Sequence, residues 1–387
     1  MTRRVPAPAS GNRELDSRLL ERLDDEAQRS LTRRCPPIRG REGLAYALDG
    51  REVVSYCSND YLGLSQMPIE AADATGSGAS RLVCGDLEVH RRVEARFAEW
   101  LGHEDAVLFP SGFQANASVL PCLLSKDDRV HSDRLNHASL IDGMRLSAAP
   151  RSLLEHLQPP KLGSREAAPR DWWVCESVFS MDGDGPSLGD LEGHLAGGGC
   201  LYLDEAHGLG LFAGGRGRGA LLRARPTITV APLGKAFGCA GAFVAGSKVA
   251  CAWIRSHARG FVFSTGVSPM LAAAIEVQLE RVRGPEGEAL RGQLWRKVDR
   301  FRTRLGASHG QAFPALRSPI HPIVVGSNAR ALAISARLLD AGWHVQAIRP
   351  PTVPEGSARL RVTICAGHSL EQVDAFADDL LRCLEDA

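Results

Sequence analysis

From about residue 45 to residue 285 the chain repeats one pattern: a short apolar run, a turn of glycine or polar residues, then a stretch with helical spacing. The runs are 106–109, 172–176, 200–204, 228–231 and 242–245. Each is too short for a helix and apolar enough to be buried on both sides, which is how a central strand reads. Strands alternating with helices predict an α/β fold with a mostly parallel sheet, and such sheets collect ligands beyond the carboxyl ends of their strands. The residues just after each run are therefore where chemistry is expected.

At 387 residues, 44% of them hydrophobic, the chain is long enough for one large domain and a smaller one. We expect a helical segment over 1–44, a large domain over 45–285 and a small domain over 286–387, with the boundary at Gly284 and Pro285. A surface helix over 14–34 opens the chain. In the small domain, strands over 323–325 and 344–348 flank a helix over 329–341. Residues 359–365 alternate with period two, and a last helix starts at a capping box formed by Ser369 and Gln372.

Forty-six basic and 45 acidic residues nearly cancel, so the overall balance points to a small-molecule partner rather than nucleic acid or an anionic membrane. Ten cysteines without a C-x-x-C pair indicate reduced thiols and no zinc site. Residues 1–13 lack the apolar core of a secretory signal, and no run is long and apolar enough to span a membrane, so a cytoplasmic protein is expected.

In Leu201-Tyr202-Leu203-Asp204, three apolar residues deliver a carboxylate to a strand exit, with His207 one turn further on. A core ion pair or a strand-end cap would also explain Asp204. The tetrapeptide Asp204-Glu205-Ala206-His207 matches the DEAH motif of helicases, but that reading requires a G-x-x-x-x-G-K-[ST] loop. Around Gly234-Lys235 the first glycine is Thr229 and the hydroxyl position is Ala236, so the nucleotide reading fails. Lys235 instead follows the run 228–231, between Gly234 and Gly238, which would let a planar ring approach the backbone. A lysine that forms a Schiff base and an acid facing the pyridine nitrogen are what pyridoxal phosphate (PLP) requires. Ser111-Gly112-Phe113 opens a helix after the run 106–109, a natural phosphate seat. His137 follows another strand, where it is either a structural histidine or able to lay its imidazole over the ring.

Taken together, Ser58-Asn59-Asp60-Tyr61-Leu62-Gly63, Gly76-Ser77-Gly78-Ala79-Ser80-Arg81, His90, Ser111-Gly112-Phe113, Asp204 to Gly208 and Leu233 to Gly238 resemble the α-oxoamine synthase family, in this order along the chain. The resemblance implies the PLP-dependent transferase fold type I and decarboxylative condensation of an amino acid with an acyl thioester. It implies that Lys235 carries the cofactor, Asp204 holds the ring nitrogen, His207 binds the phenolic oxygen and His137 stacks on the ring. Ser111, Gly112 and Phe113 would seat the phosphate, with Ser180 beside the cofactor. A homodimer is implied, with Ser264 and Thr265 reaching the partner's phosphate. The tail from Ala347 to Pro354, followed by Ala358 to Arg361, resembles the branch that joins L-alanine to a pimeloyl thioester, on coenzyme A or acyl carrier protein, in biotin biosynthesis. Arg361, Thr352, Asn59 and Arg33 would then contact substrate. Sister condensing enzymes that use glycine or serine are the alternative, and a non-catalytic relative is a third reading. Three departures stand out: Pro232 occupies the place of a phosphate-binding threonine, the segment between Leu64 and Gly76 is short, and the arginine near the thioester maps ambiguously to 32–34.

Overall fold

The computed structural model describes residues 13–70, 74–163, 170–309 and 313–385. The expectation for residues 1–13 falls almost wholly outside them. Two compact units divide the chain. The larger comprises 58–321 and 363–374, the smaller 1–57, 322–362 and 375–387. The boundary read at residue 285 falls between two helices, Pro269–Arg283 and Pro285–His309, that both lie in the larger unit.

A seven-stranded sheet centres the larger unit, built from β1 (Asp105–Phe109), β2 (Arg129–Asp133), β3 (Arg151–Leu154), β4 (Asp171–Glu176), β5 (Cys200–Asp204), β6 (Ile228–Pro232) and β7 (Ala242–Gly246). Their order across the sheet is β1-β7-β6-β5-β4-β2-β3. All neighbours are parallel except β7, which runs antiparallel to both β1 and β6. Ala242 faces Phe109 on one side and Pro232 on the other, so β7 brings the exits of β1 and β6 to the same end of the sheet. Successive side chains of β5 enter opposite cores. Tyr202 packs with Val119, Leu140 and Val174, whereas Leu201 and Leu203 pack with Leu191 and Leu222.

The smaller unit pairs Ile38–Glu42, Ala45–Leu48 and Arg51–Ser55 in sequence, with Trp343–His344 added in parallel. A second sheet of this region orders Ile320–Gly326, Ala358–Thr363 and Gln346–Ile348. The run 344–348 is thus two short strands serving two sheets, with the fully buried Val345 between them. The strand Ala358–Thr363 is buried at every position, so its alternation separates two covered faces rather than core from solvent. The capping box at the last helix forms: Ser369 N donates to Gln372 Oε1 and Gln372 N donates to Ser369 Oγ. All ten cysteines are free thiols. Among the described residues, no helix is long and apolar enough to cross a membrane.

Candidate active site

One cavity of about 300 Å³ lies at the carboxyl ends of the large sheet. Asn59, Ser111, Gly112, Phe113, His137, Asp204, His207 and Lys235 line it, together with Glu176 and Pro232. Eight residues singled out from sequence therefore share one wall. Each stands at or just beyond a strand exit, apart from Asn59.

Ser111 caps the helix Gly112–Leu123, its hydroxyl accepting from Gln114 N at 3.2 Å. The N–H groups of Gly112 and Phe113 come before the first intrahelical bond, so they and the helix dipole face the cavity as anion donors. A Cβ built on Gly112 would lie 2.7 Å from Cγ of Pro232, so the proline ring itself demands glycine there. Gly238 has a different reason from the one read in the sequence. Its φ is +62°, and a Cβ there would lie 2.3 Å from Ser65 N, so this glycine packs the lysine loop against the chain at Ser65 rather than admitting a ring.

Asp204 ends β5 almost fully buried. Its Oδ1 accepts from Ala206 N at 2.9 Å and its Oδ2 from Asn116 Nδ2 at 2.7 Å. Asn116 is fully committed: Tyr202 Oη donates to its Oδ1 at 2.9 Å, and its Nδ2 also donates to Ser139 Oγ at 3.0 Å. Ser139 Oγ lies 2.8 Å from His137 Nδ1, and Ser139 N donates to the same nitrogen. An N–H aimed at Nδ1 requires a lone pair there, which leaves the ring proton of neutral His137 on Nε2. Burial holds this imidazole below its usual pKa; Asp204 opposes that effect and Lys235 reinforces it. His207 is fixed from behind, its Nδ1 2.7 Å from the hydroxyl of the buried Tyr61, which also donates to Asn59 Oδ1.

Glu176 pairs in register with Asp204 on the neighbouring strand. Burial, with Asp204 next, pushes its carboxyl up to about 8, so it carries a proton at neutral pH; its Oε1 accepts from His137 N at 2.7 Å. Sequence reading passed over Glu176, Asn116, Tyr202, Ser139 and the role of Tyr61. Glu176 alone had a usable signal, since it ends an apolar run just as Asp204 does.

The remaining predicted residues lie elsewhere. Ser180 sits in the turn after β4 and is not part of the cavity wall. Ser264 accepts from Gln114 Nε2 at 3.2 Å, and Thr265 bridges to Ser80. In the smaller unit Arg33 Nη2 donates to Thr352 Oγ1 at 3.2 Å, and Arg349 donates to Ser30 O and Thr32 O. That pairing brings together two residues read separately from sequence. Arg361 is buried in the same unit. Between Leu64 and Gly76 the described residues hold only a single 3-10 turn, Leu64–Gln66.

Residues 51–380 match the model of the aminotransferase class I and II family. The 8-amino-7-oxononanoate synthase of Thiobacillus denitrificans is 43% identical over 88% of this chain and 91% of its own. That of Anaeromyxobacter dehalogenans strain 2CP-1 is 42% identical over 95% and 94%. The solved serine palmitoyltransferase of Sphingomonas wittichii superposes with a TM-score of 0.85 at 27% identity, covering 96% of this chain and 98% of that one. The cavity also fits PLP by its own chemistry, offering an amine, a buried carboxylate and a helix N-terminus around one ring-sized space. The chain belongs to the aminotransferase class I and II family and, within it, to the PLP-dependent α-oxoamine synthases of fold type I.

Proposed function

We infer that this chain condenses L-alanine with a pimeloyl thioester, releasing CO₂, the free thiol and 8-amino-7-oxononanoate for biotin biosynthesis. The observation that carries this reading is the gathering of Lys235, Asp204, His207 and His137 on one cavity. Its support is the near-full-length similarity to 8-amino-7-oxononanoate synthases.

PLP, when bound, supplies an electron sink that makes the α-carbon acidic and lets carboxylate carbon leave as CO₂. The rest is work for the chain's own groups. Lys235 would hold the cofactor covalently, and its free amine would be the base for the α-proton. Asp204 would face the pyridine nitrogen, held in place by N–H donors from Ala206 and Asn116. His207, braced by Tyr61, would bind the phenolic oxygen. Ser111, Gly112 and Phe113 would seat the phosphate at the helix N-terminus, and Ser180, outside the cavity wall, would support the cofactor's edge through its turn. His137 would stack on the ring, its Nε2 proton available to the thioester oxygen as charge grows there. The family resemblance assigns substrate contact to Arg361, Asn59, Arg33 and Thr352.

A homodimer working in the cytoplasm is part of the same reading. Leu82, Val83 and Phe263 are 54%, 78% and 74% exposed on segments joined by the Ser80–Thr265 bridge. An apolar surface beside Ser264 and Thr265 suits a second copy of this chain.

The likeness in fold to a serine palmitoyltransferase favours a second reading, a sister enzyme using serine or glycine. The deciding experiment mixes purified holoenzyme and pimeloyl-CoA with alanine, glycine or serine and follows thiol release. Release with alanine well above the other two is expected; preference for serine or glycine would move the chain to the sister branch.

A further inference from the structure

His156 lies just beyond β3, away from the cavity wall, and no step above uses it. Both of its ring nitrogens face carboxylates. Nδ1 is 3.0 and 3.1 Å from the two oxygens of Asp133, and Nε2 is 3.2 and 3.1 Å from those of Asp184. A neutral imidazole has one N–H and one lone pair, so on one side a lone pair would face a carboxylate. Only the doubly protonated ring satisfies both neighbours. Burial alone would depress its pKa, but the bonds to Asp133 and Asp184 outweigh it and raise the value to about 10. The ring is further fixed edge-on against Phe179, at 4.6 Å and 83°.

The two carboxylates root two turns at adjacent strand exits. Asp133 ends β2; its Oδ1 accepts from Leu135 N at 2.8 Å and its main-chain oxygen from Asn136 N, forming the turn that delivers His137. Its Oδ2 also accepts from Leu157 N at 2.7 Å. Asp184 closes the turn after β4, its main-chain oxygen accepting from Phe179 N at 2.8 Å, and Ser180 lies inside that turn. Nearby charge comes from the exposed Arg134–Glu155 pair; the titratable neighbour on β4 is Glu176, whose carboxyl Asp133 pushes up, as Asp204 does more strongly.

We infer that His156 is a doubly protonated positioning residue, clipping the turn that carries His137 to the turn that carries Ser180 and so setting one wall of the site from outside it. The proposal rests on the reading above that both turns serve the cofactor. Removal of the ring leaves Asp133 and Asp184 facing each other without a cation. Glutamine at 156 can donate to one of them but presents its oxygen to the other; asparagine at 184 then restores a donor to that oxygen.

The test compares the parent holoenzyme with His156→Gln and with His156→Gln/Asp184→Asn. Nitrogen-15 spectra of the parent at pH 8 should show both His156 nitrogens protonated. His156→Gln should lower turnover roughly 10- to 100-fold, the scale on which small misplacements act, and weaken the visible circular dichroism of bound PLP. The double variant should recover most of both. A neutral His156 at pH 8, a His156→Gln enzyme with unchanged turnover and dichroism, or a double variant no better than the single would overturn the clip. Failure of the substrate reading shows separately as a parent that releases no thiol, with the nitrogen-15 and dichroism results still deciding the clip.

Discussion

Asn116 gives both hydrogens of its side-chain amide to the site, one to Asp204 Oδ2 at 2.7 Å and one to Ser139 Oγ at 3.0 Å, while Tyr202 donates to its oxygen. The amide can therefore stand in only one orientation, and it ties the acid to the serine that holds His137. Asn116→Ala should leave a buried carboxylate oxygen and a buried phenol each short of a partner, a loss of about 1–3 kcal/mol for each group. Urea denaturation should register the destabilisation, and equilibrium titration should show weaker PLP binding. Parent-like values in both measurements would mean that the amide is dispensable.

Lys235→Ala should end covalent attachment, so borohydride no longer fixes PLP to the chain. Turnover should fall at least ~10²–10⁴-fold, the usual cost of a missing acid or base. Peptide mass analysis after reduction and a thiol-release assay check the two halves. A variant within tenfold of the parent would take Lys235 out of the reaction.

Glu176 makes the apoprotein's stability depend on pH. Its folded pKa, about 8, lies above the value near 4.5 of a free glutamic acid, so the folded chain holds this proton more tightly than the unfolded one. The contribution is complete below about pH 4.5 and is lost as pH rises toward 8, by up to about 1.4 kcal/mol per unit. Glu176→Gln, which mimics the protonated acid, should flatten that slope between pH 5 and 8 in denaturation of the PLP-free protein. An unchanged slope would show that Glu176 is ionised in the fold.

Pro232 stands in the cavity wall against Gly112 and has neither an N–H nor a hydroxyl to offer a phosphate. A hydrogen bond to a charged group contributes roughly 1.5–3 kcal/mol, or about 10- to 150-fold in affinity. Pro232→Thr should therefore tighten PLP binding, by less than that full range because the ring also braces the Gly112 turn. Titration of apoprotein with PLP measures it; equal or weaker binding would mean that position 232 does not serve the phosphate.

Asp204 and Lys235 were legible because each follows a run of buried strand residues, and such runs declare both the strand and its exit. Asn116, Ser139 and Tyr202 were not, because nothing in a one-dimensional pattern says which way a polar side chain turns inside a folded core. Asn116 lies in the second turn of its helix, and Tyr202 reads as one more aromatic in an apolar strand. The strands over residues 38–55 escaped for the opposite reason: Arg39, Arg41, Glu42, Arg51 and Glu52 are exposed, so no apolar run marks their pairing. His156 follows a strand whose own residues are mostly exposed, and its meaning appears only when Asp133 arrives from the end of β2 and Asp184 from the turn after β4.

The one reversed strand has a consequence for how the protein is made. Among the described residues β7 is the only partner of β1, yet over a hundred residues separate them, and β6 is also reached late. A ribosome that has just released Ser111 and Gly112 has made part of a cavity lining whose Pro232 and Lys235 are still untranslated. Contacts so distant in sequence are slow to form. Until residue 246 emerges, β1 remains an open edge able to pair with another chain, so the interval between the two strands is when a nascent molecule most needs protection from its neighbours.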